Sequence, residues 1–231
     1  MIGDVTSMIT KLLKINKDRL GWFVFNIVRP LSYLRLPTYS YAFGYALNIA
    51  RAGYWSSKLG KIGKCVQIGS GVNIRGNTRN LEIDDYSHID INVGLEIYAP
   101  MRIGKYVHIA PNVYIQSGDD VVINDYAAVA NGAKIYSASN TYTSPEGHEN
   151  EMLLSMSASA PQELQHVKYG KVIIEEYAFI GMNCVILPGV RIGRGAIIGA
   201  EAVVVKDIPP CTIAVGIPAK PLKLRIIPPN L

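Results

Sequence analysis

The feature that most restricts this 231-residue chain is a six-residue period in its aliphatic side chains. From Ile62 an aliphatic residue recurs at Ile68, Ile74, Ile83, Ile89, Ile97, Ile103, Ile109, Ile115, Ile123, Val129 and Ile135. The series resumes at Ile174 and runs through Ile180, Ile186, Ile192 and Ile198 to Val204. A helix repeats its apolar face every 3.6 residues and a flat strand every two, so neither accounts for six. A chain that runs along one short strand, turns a corner and starts the next does, with three strands to a triangular coil. The series predicts about six such coils, each aliphatic pointing inward and stacked on its counterpart in the next coil.

Departures from the count mark where loops leave the coil, because a packed rung tolerates extra residues only as projections from a corner. Three extra residues separate Ile74 from Ile83, two separate Ile89 from Ile97, two separate Ile115 from Ile123, and thirty-three separate Ile135 from Ile174. The last predicts one long inserted loop, residues 140–172, long enough to arch over a neighbouring copy. Cys65 and Cys184 read as small inward positions of the repeat. Three widely spaced cysteines without a C-x-x-C pair exclude a disulfide framework and a zinc knuckle and suit a reducing cytoplasm.

The net charge of +5 is unevenly placed: residues 1–60 hold eight basic and two acidic residues, and the remainder 15 basic and 16 acidic. The repeat region therefore carries no basic stripe, which excludes a nucleic-acid-binding domain. Neither a phosphate-binding G-x-x-x-x-G-K-[ST] loop nor a dinucleotide-binding G-x-G-x-x-G is present. Residues 1–60 read as a helical segment broken at Pro30 and Pro37 and rich in Trp, Phe and Tyr. Its apolar stretch, Leu20 to Val28, is shorter than the roughly 20 residues a membrane span needs. It is followed by Arg29-Pro30, unlike a signal-peptide cleavage site. Two roles fit this segment: attachment to an anionic membrane surface, or a cap over the open end of the coils.

The recurring [LIV]-[GA]-x-x-[small]-x pattern resembles that of the hexapeptide-repeat acyltransferases, whose fold is a left-handed parallel β-helix. The resemblance runs from Ile62 to about Lys223. Handedness comes from it alone, since crossovers are ordinarily right-handed. The expected fold is mainly β: a left-handed parallel β-helix of about six triangular coils over residues 61–223, with an α-helical N-terminal segment, one long inserted loop and a tail at 224–231. The stretches Phe179 to Val190, Ile198 to Ala200, Lys206 to Pro210 and Val215 to Lys220 are similar to the sugar O-acetyltransferase branch, with Phe179 where tryptophan is common. The resemblance implies acetyl-CoA as co-substrate, held in a groove to which the family positions matched by Gly181, Ala200, Lys206, Pro218 and Lys220 contribute; it implies no metal.

Removing a proton from an acceptor hydroxyl calls for a base, and histidine suits that role near neutral pH. The chain has four histidines: His88, His108, His148 and His166. His108 lies in Val107-His108-Ile109-Ala110-Pro111, which resembles the histidine motif of several sugar-acetylating members, and its spacing puts it at the same corner as His88, one coil on. The galactoside branch carries its histidine in Y-[ST]-x-x-H at the start of the large loop. Here Tyr136-Ser137-Ala138-Ser139-Asn140 puts Asn140 there. Asparagine cannot be a base, though it can position an acceptor or donate to an oxyanion, which leaves the base role to His108 or His148. His108 and Asn140 fall at different corners of one chain, so a shared site requires a second copy, and a homotrimer is expected.

The function expected is acetyl-CoA-dependent O-acetylation of a sugar hydroxyl in surface polysaccharide (O-antigen or capsule) biosynthesis, in the cytoplasm or at the inner membrane. Its substrate would be a carbohydrate or nucleotide-sugar. The alternative is N-acetylation of a nucleotide-linked amino sugar. A zinc-dependent hydratase of the carbonic-anhydrase type is kept open by the His88 and His108 pairing, but its close H-x-x-x-x-H pair is absent.

Overall fold

The computed structural model describes residues 37–141 and 154–226, with side chains from residue 44 onward. His148, the aromatic residues before position 37 and the end of the tail lie outside the described residues. From Lys61 the chain winds through short strands forming three parallel sheets, one per face of a triangular coil. The first face stacks Lys61–Ile62, Leu81–Ile83, Met101–Ile103, Val121–Ile123, Val172–Ile174 and Arg191–Ile192. The second stacks Gln67–Ile68, His88–Ile89, His108–Ile109, Ala128–Val129, Phe179–Ile180, Ile197–Ile198 and Thr212–Val215. The third stacks Asn73–Gly76, Gly94–Ile97, Tyr114–Ser117, Lys134–Tyr136, Val185–Ile186 and Val203–Val204. Six coils are complete, and a seventh begins where Ile208 bridges Ile192 and Thr212–Val215 extends the second face. It is closed by Lys220–Leu224, which turns back antiparallel along Thr212–Val215.

The six-residue period is realised as expected: Ile62 registers with Ile83, Ile89 with Ile109 and Ile135 with Ile186. These columns fill the interior, with Ile83, Ile89, Ile109, Ile123 and Ile135 fully buried. One rung differs from the sequence reading. Leu95, not Ile97, pairs with Ile74 and Ile115, while Ile97 aligns with Gly76 and Ser117. Both residues are inward and buried, being two apart on a strand. The extra residues therefore follow Leu95, and all four insertions fall at a single corner, between the third and first faces. There the third face is widened by an inward column that includes Ile97, Ser117 and Ser137, all buried. The buried hydroxyls are satisfied: Ser117 Oγ donates to the Ala99 carbonyl at 2.8 Å, and Ser137 Oγ to the Asp119 carbonyl at 2.6 Å.

The ends of the long insertion are ordered as a two-stranded ribbon at that corner. Ala138–Asn140 pairs antiparallel with Val167–Tyr169, so Asn140 sits opposite Val167. The corner between the first and second faces is built differently. Tyr86, Tyr106, Tyr126 and Tyr177 occupy it on successive coils with φ between 55° and 62°, and their rings stack at centroid distances of 5.0, 5.1 and 4.9 Å. That spacing matches the roughly 4.8 Å between paired strands, so each ring lands on the next without adjustment. Cys65 holds the equivalent position in the first coil (φ 54°) and is exposed. It is thus a corner residue and not the core residue the sequence reading expected, because the small inward position lies one further on, at Val66. Cys184 is buried as expected.

Before the coils lies a helix, Pro37–Ser56. Ala52 and Leu59 are buried in the core at the first coil, and Trp55 packs against it. Among the described residues no helix is long and apolar enough to cross a membrane.

Close stacking gives Gly181 a structural role. A Cβ built there would lie 2.6 Å from both the Ala200 nitrogen and the Ile198 carbonyl oxygen of the next coil. Gly181→Ala is expected to cost about 1–3 kcal/mol, read as a lower urea midpoint with an unchanged m-value.

Candidate active site

The alternation of a strand turns His88 and Asp90 outward on the second face and Ile89 inward. His108 is the registered partner of His88 on the next coil. The two histidines therefore sit on the flat of a face and not at the corner expected from counting. Their rings are 5.2 Å apart and 23° from parallel. His108 is half-exposed, with Nε2 3.5 Å from Asp90 Oδ2, while Asp90 Oδ1 accepts the Ile91 N–H at 2.7 Å. His88 lies deeper: its Nε2 is shielded from solvent and has no hydrogen-bond partner among the described residues. Burial pushes the His88 imidazole below its ordinary pKa, Asp90 opposes that and His108 adds to it. Sequence reasoning passed over Asp90, although the signal, a carboxylate two residues after a histidine on an alternating strand, was present.

Asn140 lies on the other side of the chain, at the widened corner between the third and first faces. It lines a cleft of about 540 Å³ with Tyr98, Gln116, Tyr136, Ser139 and Tyr169 among its walls, a volume suited to a small ligand. Its Nδ2 donates to the Met156 carbonyl at 3.1 Å, tying the ribbon to the returning loop. The sequence reading named only Asn140 here. Tyr136 and Ser139 belong to the same stretch as Asn140, but Tyr98 and Gln116 come from two other coils and Tyr169 from the second strand of the ribbon, so nothing local announces those. One chain thus does not bring His108 and Asn140 together.

Beside the cleft, Tyr136 packs on Tyr114 with ring centroids 5.6 Å apart. The Tyr114 hydroxyl donates to Glu96, which also pairs with Arg75 at 3.2 Å. Gly94 makes room for this ring, since a Cβ there would lie 2.9 Å from Tyr114 Cδ2. Burial, and then the bond to Glu96, push the Tyr114 phenol far above its ordinary value.

Of the residues matched to the coenzyme groove, Gly181 is buried within the stack, and Ala200, Lys206, Pro218 and Lys220 are exposed at the C-terminal end of the coils. Lys206 and Lys220 join no ion pair among the described residues. Exposed Met182, Val205 and Ile217 lie on the same stretch.

The Tyr114 phenol is held neutral in the fold while the unfolded chain releases its proton near pH 10. The unfolded state therefore binds fewer protons above that pH, and stability falls as pH rises. Tyr114→Phe removes this dependence: its urea midpoint is expected to drop less than that of the unsubstituted protein between about pH 9 and 11.

Comparison with known proteins agrees with this architecture. The family profile described as Bacterial transferase hexapeptide (six repeats) matches residues 171–206. Over 146 residues the chain is 35% identical to dTDP-4-amino-4,6-dideoxy-D-glucose acyltransferase of Escherichia coli, covering 63% of this chain and 69% of that enzyme. It is 30% identical to the chloramphenicol acetyltransferase of Agrobacterium fabrum over 118 residues, 48% of this chain and about half (54%) of that one. Among solved structures, a variant of AntD, an N-acyltransferase from Bacillus cereus in complex with dTDP-4-amino-4,6-dideoxyglucose and coenzyme A, superposes with a TM-score of 0.68 at 27% identity, over 77% of this chain and 90% of AntD. The repeat, the coil and these likenesses place the chain in one family: it belongs to the hexapeptide-repeat acyltransferases, enzymes built on the left-handed parallel β-helix.

Proposed function

We propose that the protein transfers an acetyl group from acetyl-CoA to the amino group of a nucleotide-linked amino sugar. The observation that carries this reading is the 35% identity to an acyltransferase of such a sugar over most of that enzyme's length. It favours the amine over the sugar hydroxyl expected from sequence motifs. The cleft at Asn140 supports it, because Tyr98, Tyr136 and Tyr169 offer aromatic faces to a base while Gln116 and Asn140 offer amides to a sugar or phosphate. Exposed Lys206 and Lys220, beside Met182, Val205 and Ile217, fit the phosphates and the pantetheine arm of a coenzyme.

The amine nitrogen attacks the thioester carbonyl, the carbon–sulfur bond breaks, and coenzyme A leaves as the thiol. His108 Nε2 receives the proton that nitrogen loses and passes it to the departing sulfur, and Asp90 at 3.5 Å stabilises the imidazolium between the two transfers. Asn140 positions the acceptor. Since one chain keeps His108 and Asn140 apart, each site takes His108 from one copy and the cleft from the next, in a homotrimer.

The test supplies acetyl-CoA with a dTDP-linked 4-amino-4,6-dideoxyhexose, or with the matching hydroxy sugar, and reads free thiol and the mass of the product. Amide formation on the amino sugar is expected, and ester formed on the hydroxy sugar alone overturns the reading. His108→Asn is expected to lower kcat by about 100-fold with little change in KM for acetyl-CoA. If His148→Ala shows that loss while His108→Asn stays active, the base is His148.

A further inference from the structure

We propose that His88, Asp90 and His108 form a binding site for a divalent transition-metal ion of the zinc and cobalt class. One ring nitrogen of each histidine and a carboxylate oxygen of Asp90 lie within 4.8 Å of one another. An ion bonded to all three at about 2.0–2.2 Å holds its donors about 3–3.5 Å apart, and His108 Nε2 and Asp90 Oδ2 already stand at 3.5 Å. The backbone presets the triad. His88 and Asp90 are alternate outward residues of one strand and His108 is the registered partner of His88, so no loop has to fold to gather the donors. The half-exposed His108 ring, stacked on His88, closes the remaining distance by a turn about its own side-chain bonds.

A second observation points the same way. His88 Nε2 is shielded from water and unpartnered among the described residues, an arrangement native interiors avoid unless something supplies the partner; an ion that takes that nitrogen as its donor does so. The registered neighbours Gln67 below and Ala128 above bring no positive charge. Two imidazoles and one carboxylate select zinc, cobalt, nickel or iron(II) over magnesium and calcium, and leave further coordination positions open. Where His108 also serves as the base, a consequence that rests on the function proposed above, an occupied site and proton removal exclude each other, because both use the same lone pair.

The experiment titrates the full-length, metal-free protein with Co2+ in the absence of acyl substrates, following visible absorption and calorimetry. One ion per chain is expected, with ligand-field bands and no thiolate-to-metal absorption, and displacement by Zn2+. His88→Ala, His108→Ala and Asp90→Asn, each checked for folding by circular dichroism, are expected to weaken binding at least about tenfold. Failure of the unsubstituted protein to bind millimolar Co2+, equal affinity in the three variants, or a thiolate band that disappears in Cys65→Ser overturns the proposal. None of these outcomes bears on the base, which the transfer rate of His108→Asn reports separately.

Discussion

Everything in this molecule depends on the hydrogen bonds that each coil makes to the next. Main-chain pairing such as Gly69 N–H to the Ile89 carbonyl at 2.8 Å, and Ala110 N–H to the Val129 carbonyl at 2.9 Å, recurs around all three faces. It fixes not only the spacing of coils but which side chain lies over which. A triangular coil cannot bury its aliphatic residues alone; only stacking encloses them. Once the register is set, outward residues are ordered as strictly as inward ones. The isoleucine columns, the tyrosine stack and the pairing of His88 with His108 are three readings of one repeat distance.

The same constraint explains where the chemistry can go. Two corners are held to a fixed number of residues, and only the corner between the third and first faces takes up extra chain. The three short insertions widen the third face, and the long one springs from the same place. The cleft around Asn140 is therefore a product of added length at one corner, whereas the histidine pair stands on a face whose geometry never changes. Tyr126 and Tyr177 show how little the long insertion disturbs the rest: their rings stack at 4.9 Å, as closely as Tyr86 and Tyr106, whose coil carries only a two-residue insertion.

How much of this was legible depended on whether a feature was periodic along the chain or assembled across it. The coil, its strands and the position of the large insertion followed from Ile62, Ile68 and their successors, because inward aliphatics recur every six residues except where extra chain leaves the coil. Ile97 was mistaken for a rung since it shares parity and chemistry with Leu95, and only pairing with Ile74 tells them apart. Cys65 was misplaced by a single residue, enough to exchange a core position for a corner. His108 and Asn140 could be singled out by motif, but Asp90 became relevant only with His108 stacked above it. Tyr98, Gln116 and Tyr169 were invisible as a group because they belong to different coils and to the ribbon.

The closing strand has a consequence for the molecule among its own copies. A parallel coil ends in an edge that another coil could continue, so a β-helix is in principle a template for its own end-to-end growth. At the C-terminal end of the second face that edge is covered by Lys220–Leu224 running in the opposite direction. A further copy arriving in parallel would meet reversed polarity, together with Pro221, which has no N–H to donate, and the charges of Lys220 and Lys223. Through this face the stack admits no further parallel strand in register, where the same repeat left open would offer an edge for end-to-end growth.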